Sequence, residues 1–235
     1  MSDPAVSVVV PAKDEAAYLP ECLESLHDQR TDREYEVLVV DGDSDDATAE
    51  IAREYGATLV EQPNDLVEHQ EASASDSSQS RIADARHRGA ERADGDWLAF
   101  VDADTVLDPA YLDAMLRFVR REGLAGASSR CRMVGPARAT VMEATINHVF
   151  PRLARPVLPG FNCFVRRDAY FDVGGFPDVP NEDTAFSRTL GREWPTGYHP
   201  EVLVETSARR IADSGLTGML IHYLRLDWHR IRADY

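Results

Sequence analysis

Lysine is almost absent: Lys13 is the only one in 235 residues, and every other fixed cation is an arginine. Acidic residues outnumber basic ones by 41 to 25, for a formal net charge of −16 and a pI near 4.8. Such a field repels backbone phosphates unless a local basic patch overrides it, and none stands out, so no nucleic-acid partner is expected. An acid-rich, lysine-poor chain fits a salt-rich cytoplasm. Cysteine is scarce as well. Cys22, Cys131 and Cys163 are too few and too scattered for a disulfide framework or a zinc site, which points to a reducing compartment. No apolar run approaches the ~18 residues of a spanning helix. The start, "MSDPAVSVVVPAKDE", has neither the charged n-region nor the long apolar h-region of a signal peptide. The expected location is cytoplasmic, with peripheral attachment at the inner face of a membrane left open.

What is present suffices for one large α/β domain over residues 1–235, since 43% of the chain is hydrophobic. Val6–Val10, stopped by Pro11, and Glu36–Val40, stopped by Asp41-Gly42, read as fully buried parallel strands. Between them "EAAYLPECLESLHDQ" has Tyr18, Leu19, Cys22, Leu23 and Leu26 at helical spacing. The alternation continues: "ATAEIAREYG" as helix, "ATLVEQ" as strand, "RIADARHRGAERADG" as helix and "WLAFVD" as strand. Helices on both faces of a mostly parallel sheet follow. "DLVEHQEASASDSSQS", residues 65–80, breaks the rhythm and reads as a mobile surface loop. Further on, "DPAYLDAMLRFVRREG" reads as a helix with Asp108 as N-cap and Pro109 at its first position. A strand near "AGASSRCRMV", a helix across "ATVMEATINHVF" and a strand near "NCFVRR" complete the outline.

In an open parallel sheet, ligands bind beyond the carboxyl ends of the strands. "WLAFVDAD" ends at that edge with Asp102 and Asp104, and on an extended backbone residues two apart point the same way. Two hard oxygen donors around Ala103 suit Mg²⁺ or Mn²⁺ shared with a diphosphate. The plainer alternative is one helix cap and one solvated aspartate. Asp41 ends another strand and should reach the same edge, where a carboxylate can accept from a base N–H or a ribose hydroxyl. Ser44 beside it reads as structural, in an Asx-type turn that caps a helix beginning near Ala47.

Together "VSVVVPAKDEAAYLPECLESL", "VLVVDGDSDDAT", "ARHRGAERADGDWLAFVDADT", "GFNCFVRRDAYFDVGGF" and "NEDTAFSRTL" resemble the family 2 glycosyltransferases of the GT-A fold, in order from Val6 to Arg210. With the composition, this points to a halophilic archaeal source. The resemblance implies a nucleotide-binding half over 1–104 and an acceptor- and sugar-binding half over 105–210. It implies that Pro11, Ala12, Lys13 and Glu15 wrap the nucleoside, that Asp41 contacts base or ribose, and that Arg86 lies near the nucleotide. Asp104 becomes the direct metal ligand, with Asp102 nearer the ribose and Ala103 between them. Gly42 stands where a second aspartate is frequent, which leaves the base open; His87 stands where asparagine is usual, a change expected to affect only local packing.

Inverting sugar transfer needs an acceptor oxygen to attack the anomeric carbon opposite the leaving nucleoside diphosphate. Glu182 and Asp183 open a helix in "PNEDTAFSRTL", where the dipole favours negative charge; alone they read as a helix start. The resemblance implies Asp183 as general base and Glu182 as an acceptor-hydroxyl or structural partner. An already ionised acceptor, such as a lipid phosphate, needs no base. "VETSARRIADSG" resembles the "TSxRR" element of some members, which implies that Arg209 or Arg210 closes over the phosphates; the plainer reading is a pair of solvated helix arginines. Gly160 and Asn162 in "GFNCF" precede a strand where a bare backbone lets a sugar approach. His199 could complete a metal shell, but a lone histidine is more often structural. Gly174 to Phe176 reads as a structural turn.

Residues 211–235 read as an amphipathic helix carrying Arg225, Arg230 and Arg232, suited to core or dimer packing or to a membrane surface. The donor is expected to be a UDP- or GDP-sugar, and the acceptor a sugar, protein or polyprenyl lipid. Two alternatives remain. A sugar-1-phosphate nucleotidyltransferase should carry a Gly-rich phosphate loop, and "PAKDEAAY" lacks the glycines. A non-catalytic sugar-nucleotide-binding protein would have little use for Asp102, Asp104 and Asp183 together.

Overall fold

The computed structural model describes residues 4–62, 74–137 and 139–209. The elements in order are β1 (Val6–Ala12), α1 (Leu19–His27), β2 (Tyr35–Asp41), α2 (Thr48–Glu54), β3 (Thr58–Glu61), α3 (Ala74–Arg92), β4 (Trp97–Val101), β5 (Thr105–Leu107), α4 (Tyr111–Glu122), β6 (Gly126–Val134) and α5 (Ala139–Ala144). A π-helical turn (Thr145–Val149) and a 3₁₀ turn (Phe150–Arg152) extend α5, followed by β7 (Asn162–Arg166), α6 (Arg167–Asp172), α7 (Glu182–Glu193) and β8 (Thr196–Ser207). The eight strands form one sheet in the order β3-β2-β1-β4-β7-β6-β8-β5. Strands β1 to β4 are mutually parallel, whereas β7 and β5 run against their neighbours. This is the mostly parallel α/β arrangement expected of a GT-A fold.

The buried runs divide by alternation, as strands covered on both faces must. Val6, Val8 and Val10 with Trp97, Ala99 and Val101 face α1 and α4, packing on Leu19, Leu23, Leu112, Met115 and Val119. Val9, Leu38, Val40, Leu98 and Phe100 face α3, α6 and α7. Gly89 of α3 is part of this fit: a Cβ there would lie 2.3 Å from Val9 Cγ1, so the helix backbone rests directly on the sheet.

Several boundaries differ from the sequence reading. Strand β1 runs through Pro11 to Ala12; pairing with β4 stops at Val9, so the missing N–H of Pro11 interrupts only the strand's end. Helix α3 begins at Ala74, so part of the expected 65–80 loop is helical despite having no apolar period; residues 63–73 lie outside the described residues. Helix α4 starts at Tyr111, not Pro109. Asp108 instead forms the preceding turn, its Oδ1 accepting from Ala110 N at 2.8 Å and its carbonyl from Tyr111 N at 2.9 Å. Strands β5 and β8 have no counterpart in the sequence pattern. Register slips beside Arg130, opposite Pro200 and Glu201, because proline interrupts the ladder there. The proposed C-terminal helix over 211–235 is outside the described residues. Among the described residues no helix is long and apolar enough to cross a membrane.

Candidate active site

The carboxyl ends of β1, β2 and β4 bring three connections to one edge. Ala12 and Asp41 are register partners there, and Gly42 N donates to Ala12 O at 2.8 Å. The β1–α1 and β2–α2 loops are laced together. Asp14 N donates to Ser44 Oγ at 2.9 Å, Asp45 N to Asp14 Oδ1 at 2.8 Å, and Glu15 N to Thr48 Oγ1 at 2.8 Å. Asp14, Asp43 and Asn181 take φ of 54°, 62° and 55°. Aspartate and asparagine tolerate left-handed backbone better than other non-glycine residues, and these three make the tight loop turns at this edge.

Asp41 is buried, and its carboxylate accepts from Ser44 Oγ at 2.5 Å. Ser44 therefore supports Asp41 rather than capping α2, whose N-cap Ala47 has no side-chain bond. Lys13 reaches across to donate to Asp43 O at 2.6 Å and Gly42 O at 3.2 Å. Pro11 and Ala12 are buried in β1, leaving Lys13 as the exposed member of this group.

Asp102 and Asp104 are not on extended backbone as expected. Thr105 N donates to Asp102 O at 3.0 Å, so the motif is a tight turn between β4 and β5, with the Ala103 methyl in the core. Each aspartate meets a different arginine. Asp102 Oδ1 accepts from Arg86 Nη2 at 2.9 Å, while Asp104 Oδ2 pairs with Arg209 Nε at 3.0 Å. Arg209 also pairs with Glu15 and lies over the Tyr18 ring at 4.4 Å. Glu15 is buried, with Oε2 unpartnered among the described residues. Arg210 lies outside the described residues.

Arg86 is 2% exposed and its other arm, Nη1, donates to Glu182 Oε1 at 2.6 Å. Burial pulls its pKa down, but Asp102 and Glu182 outweigh that and hold it above the usual arginine value. It thus sits between the DxD turn and the start of α7 rather than in the open. Asp183 follows Glu182 with a partly open side chain. Its Oδ1 accepts from Thr184 N at 2.6 Å and its Oδ2 from Gly160 N at 3.3 Å. Burial raises the pKa of Asp183 above the ordinary carboxylate range, with Arg86 opposing; Glu182 shifts in the same direction for the same reasons.

Two expected sugar contacts are corrected. Asn162 is fully buried: its Nδ2 donates to Ser129 O at 2.9 Å and Ser129 Oγ at 3.0 Å, and its Oδ1 accepts from Tyr111 OH at 3.2 Å. Its amide is consumed by the core. Gly160 does provide close approach, but to protein, since a Cβ there would lie 2.5 Å from Arg86 Nη2. His199 packs edge-on against Phe118 at 5.0 Å and accepts from Glu201 N at 3.2 Å, a structural part of the β8 bulge.

Among the described residues no group of three or more His, Cys, Asp or Glu side chains is placed to hold an ion unaided. The residues present still fit a divalent ion. Asp102 and Asp104 are hard oxygen donors from one turn, and an Mg²⁺ or Mn²⁺ ion takes its remaining ligands from phosphates and water.

Comparison with known proteins agrees with this geometry. The chain is 32% identical over 181 residues to glycosyltransferase AglE of Haloferax volcanii, covering 74% of this chain and 57% of that protein. It is 37% identical over 107 residues to a PGL/p-HBAD biosynthesis glycosyltransferase of Mycobacterium bovis, covering 46% of this chain and 38% of that one. Among solved structures, S. aureus TarS 1–349 with UDP superposes with a TM-score of 0.67 at 19% identity, over 86% of this chain and 60% of that one. Mannosyltransferase PcManGT of Pyrobaculum calidifontis, with GDP-Man and Mn²⁺, gives 0.62 at 23% identity, over 87% and 57%. The Glycosyl transferase family 2 profile matches residues 7–171, and the chain belongs to that family.

Proposed function

We propose that this chain transfers a sugar from a UDP- or GDP-sugar to a hydroxyl or lipid-phosphate acceptor, with inversion at the anomeric carbon. The observation that carries the reading is the meeting, at one sheet edge, of the Asp102–Asp104 turn and the Glu182–Asp183 helix start, bridged by Arg86. Solved relatives hold UDP and GDP-Man, which supports a nucleotide-sugar donor. The acid-rich, lysine-poor composition and the likeness to a Haloferax protein support a halophilic archaeal setting.

In this reading Asp41 accepts from the base or ribose, and the β1–α1 loop with Glu15 closes over the nucleoside. Asp104 holds the divalent ion, with Asp102 beside it; when bound, the ion neutralises charge on the leaving diphosphate. Arg209 leaves Asp104 and turns to the phosphates. Asp183 takes the proton from the acceptor hydroxyl as the acceptor oxygen bonds to the anomeric carbon and the bond to the diphosphate oxygen breaks. Burial makes it a stronger base than an exposed aspartate, and the N–H groups of Gly160 and Thr184 orient it. Glu182 is spent on Arg86 and acts as a structural partner.

The test is nucleotide release from a panel of UDP- and GDP-sugars with Mn²⁺ and a lipid extract as acceptor source. Release by the wild type but not by Asp183→Asn supports the reading. Binding of nucleotide without release from any donor would favour a sugar-nucleotide-binding protein instead.

A further inference from the structure

Four chain segments converge on the buried guanidinium of Arg86. The DxD turn contributes Asp102, at 2.9 Å, and α7 contributes Glu182, at 2.6 Å. Phe176 covers the group with its ring centroid 5.1 Å away. The fourth is the backbone at Gly160, where an added Cβ would lie 2.5 to 2.6 Å from Nη2, Cζ and Nη1. The N–H of that same glycine holds Asp183.

We propose that Arg86 is a positioning residue whose fork sets the separation between Asp102 and the base-bearing start of α7, and that Gly160 supplies the space the fork needs. This rests on the functional reading above. A planar guanidinium presents donors in a fixed geometry and can engage two carboxylates at once, whereas a lysine places its charge at one point. Asp102 and Glu182 would otherwise repel each other in a site of low dielectric. Holding them on one rigid cation fixes the reach from the donor's anomeric carbon to Asp183, and a misplacement of about 1 Å is enough to cost ~10²-fold in rate. The β7-side loop is locked to the same point from its backbone. The arginine is thus a spacer between the two halves of the site and has no open face for the nucleotide.

The test compares Arg86→Lys, Gly160→Ala and the double variant. Nucleotide release is followed with whichever of UDP-GlcNAc and GDP-mannose the wild type uses. UDP and GDP affinity with Mn²⁺ is read by calorimetry, and thermal midpoints and crystal structures are recorded. Each single variant is expected to lower kcat by ~10²-fold, with nucleotide affinity changed by less than about threefold. The double variant should be no slower than the worse single one, because both remove the same contact. The Gly160→Ala crystal structure should show Arg86 withdrawn from Asp102 or Glu182, with the start of α7 moved relative to the DxD turn. If Arg86→Lys fails to fold, Gly160→Ala carries the test, since it keeps every charged group.

Losses that multiply in the double variant would overturn the proposal. So would single variants within about twofold of wild-type kcat, or a Gly160→Ala structure with both Arg86 contacts intact. If the wild type releases nucleotide from no donor of the full UDP- and GDP-sugar panel, the functional reading falls, and the crystal comparison still decides the clamp.

Discussion

In the proposed function Asp104 holds a divalent ion, and Arg209 occupies that same carboxylate. Arg209 Nε lies 3.0 Å from Asp104 Oδ2, its side chain 27% exposed, and the guanidinium is shared with Glu15 and stacked on Tyr18. An ion on Asp104 must displace that contact. A hydrogen bond between charged groups contributes about 1.5–3 kcal/mol, and partial exposure to solvent places this one toward the lower end, roughly 1.5–2 kcal/mol. Removing the competitor with Arg209→Gln should therefore strengthen Mn²⁺ binding to the nucleotide-free protein by about 10–30-fold, each 1.4 kcal/mol being tenfold. With UDP or GDP present the gain should vanish or reverse, since the arginine then serves the diphosphate. Calorimetric titration of Mn²⁺ into wild type and variant, with and without nucleotide, reads both effects. Unchanged or weaker Mn²⁺ binding by nucleotide-free Arg209→Gln would refute the argument.

Four further outcomes are expected. Asp183→Asn should leave UDP or GDP affinity intact and slow transfer by ~10²-fold or more, measured in single-turnover assays; an unchanged rate means the acceptor arrives ionised. As the proposed base, Asp183 would have to be ionised to act, and burial raises its pKa, so the acid limb of kcat/KM should fall away above the ordinary aspartate value of about 3.9, as a pH–rate profile will show. Asn162→Ala should cost about 2–3 kcal/mol by leaving the Tyr111 hydroxyl and the Ser129 carbonyl short of partners. Denaturant unfolding measures that cost, and lost sugar transfer without lost stability would return Asn162 to the sugar pocket. Gly89→Ala, whose Cβ would press on Val9, should destabilise by about 1–3 kcal/mol in the same assay, and a neutral result would mean that α3 can slide on the sheet.

The first half of the fold was legible because its strands are buried on both faces and separated by periodic helices. Val6–Val10, Glu36–Val40 and "WLAFV" need no distant information to be read as strands. Strand β5, at three residues, is too short to carry a period, and β8 is interrupted by Pro200 and exists because β6 pairs with it. The DxD carboxylates and the acidic start of α7 could be named only through the family resemblance, since alone they read as a turn and a helix start. Their partners could not. Arg86 meets Glu182 across 96 positions and Arg209 meets Glu15 across 194, and no local pattern encodes such separations. Asn162 and Gly160 differ from expectation for a related reason. A polar side chain and a bare backbone before a strand suit a ligand as well as a core, and only the buried Tyr111, Ser129 and Arg86 around them decide between the two.

The proposed function depends above all on the Asp102–Asp104 turn holding a nucleoside diphosphate through a divalent ion. Calorimetric titration of UDP and of GDP in high salt, each with and without Mn²⁺, against wild type and Asp104→Asn, tests it most directly. Binding should require Mn²⁺, prefer one nucleotide and disappear in the variant. Nucleotide binding that is equally tight without the ion, or undiminished in folded Asp104→Asn, would contradict it.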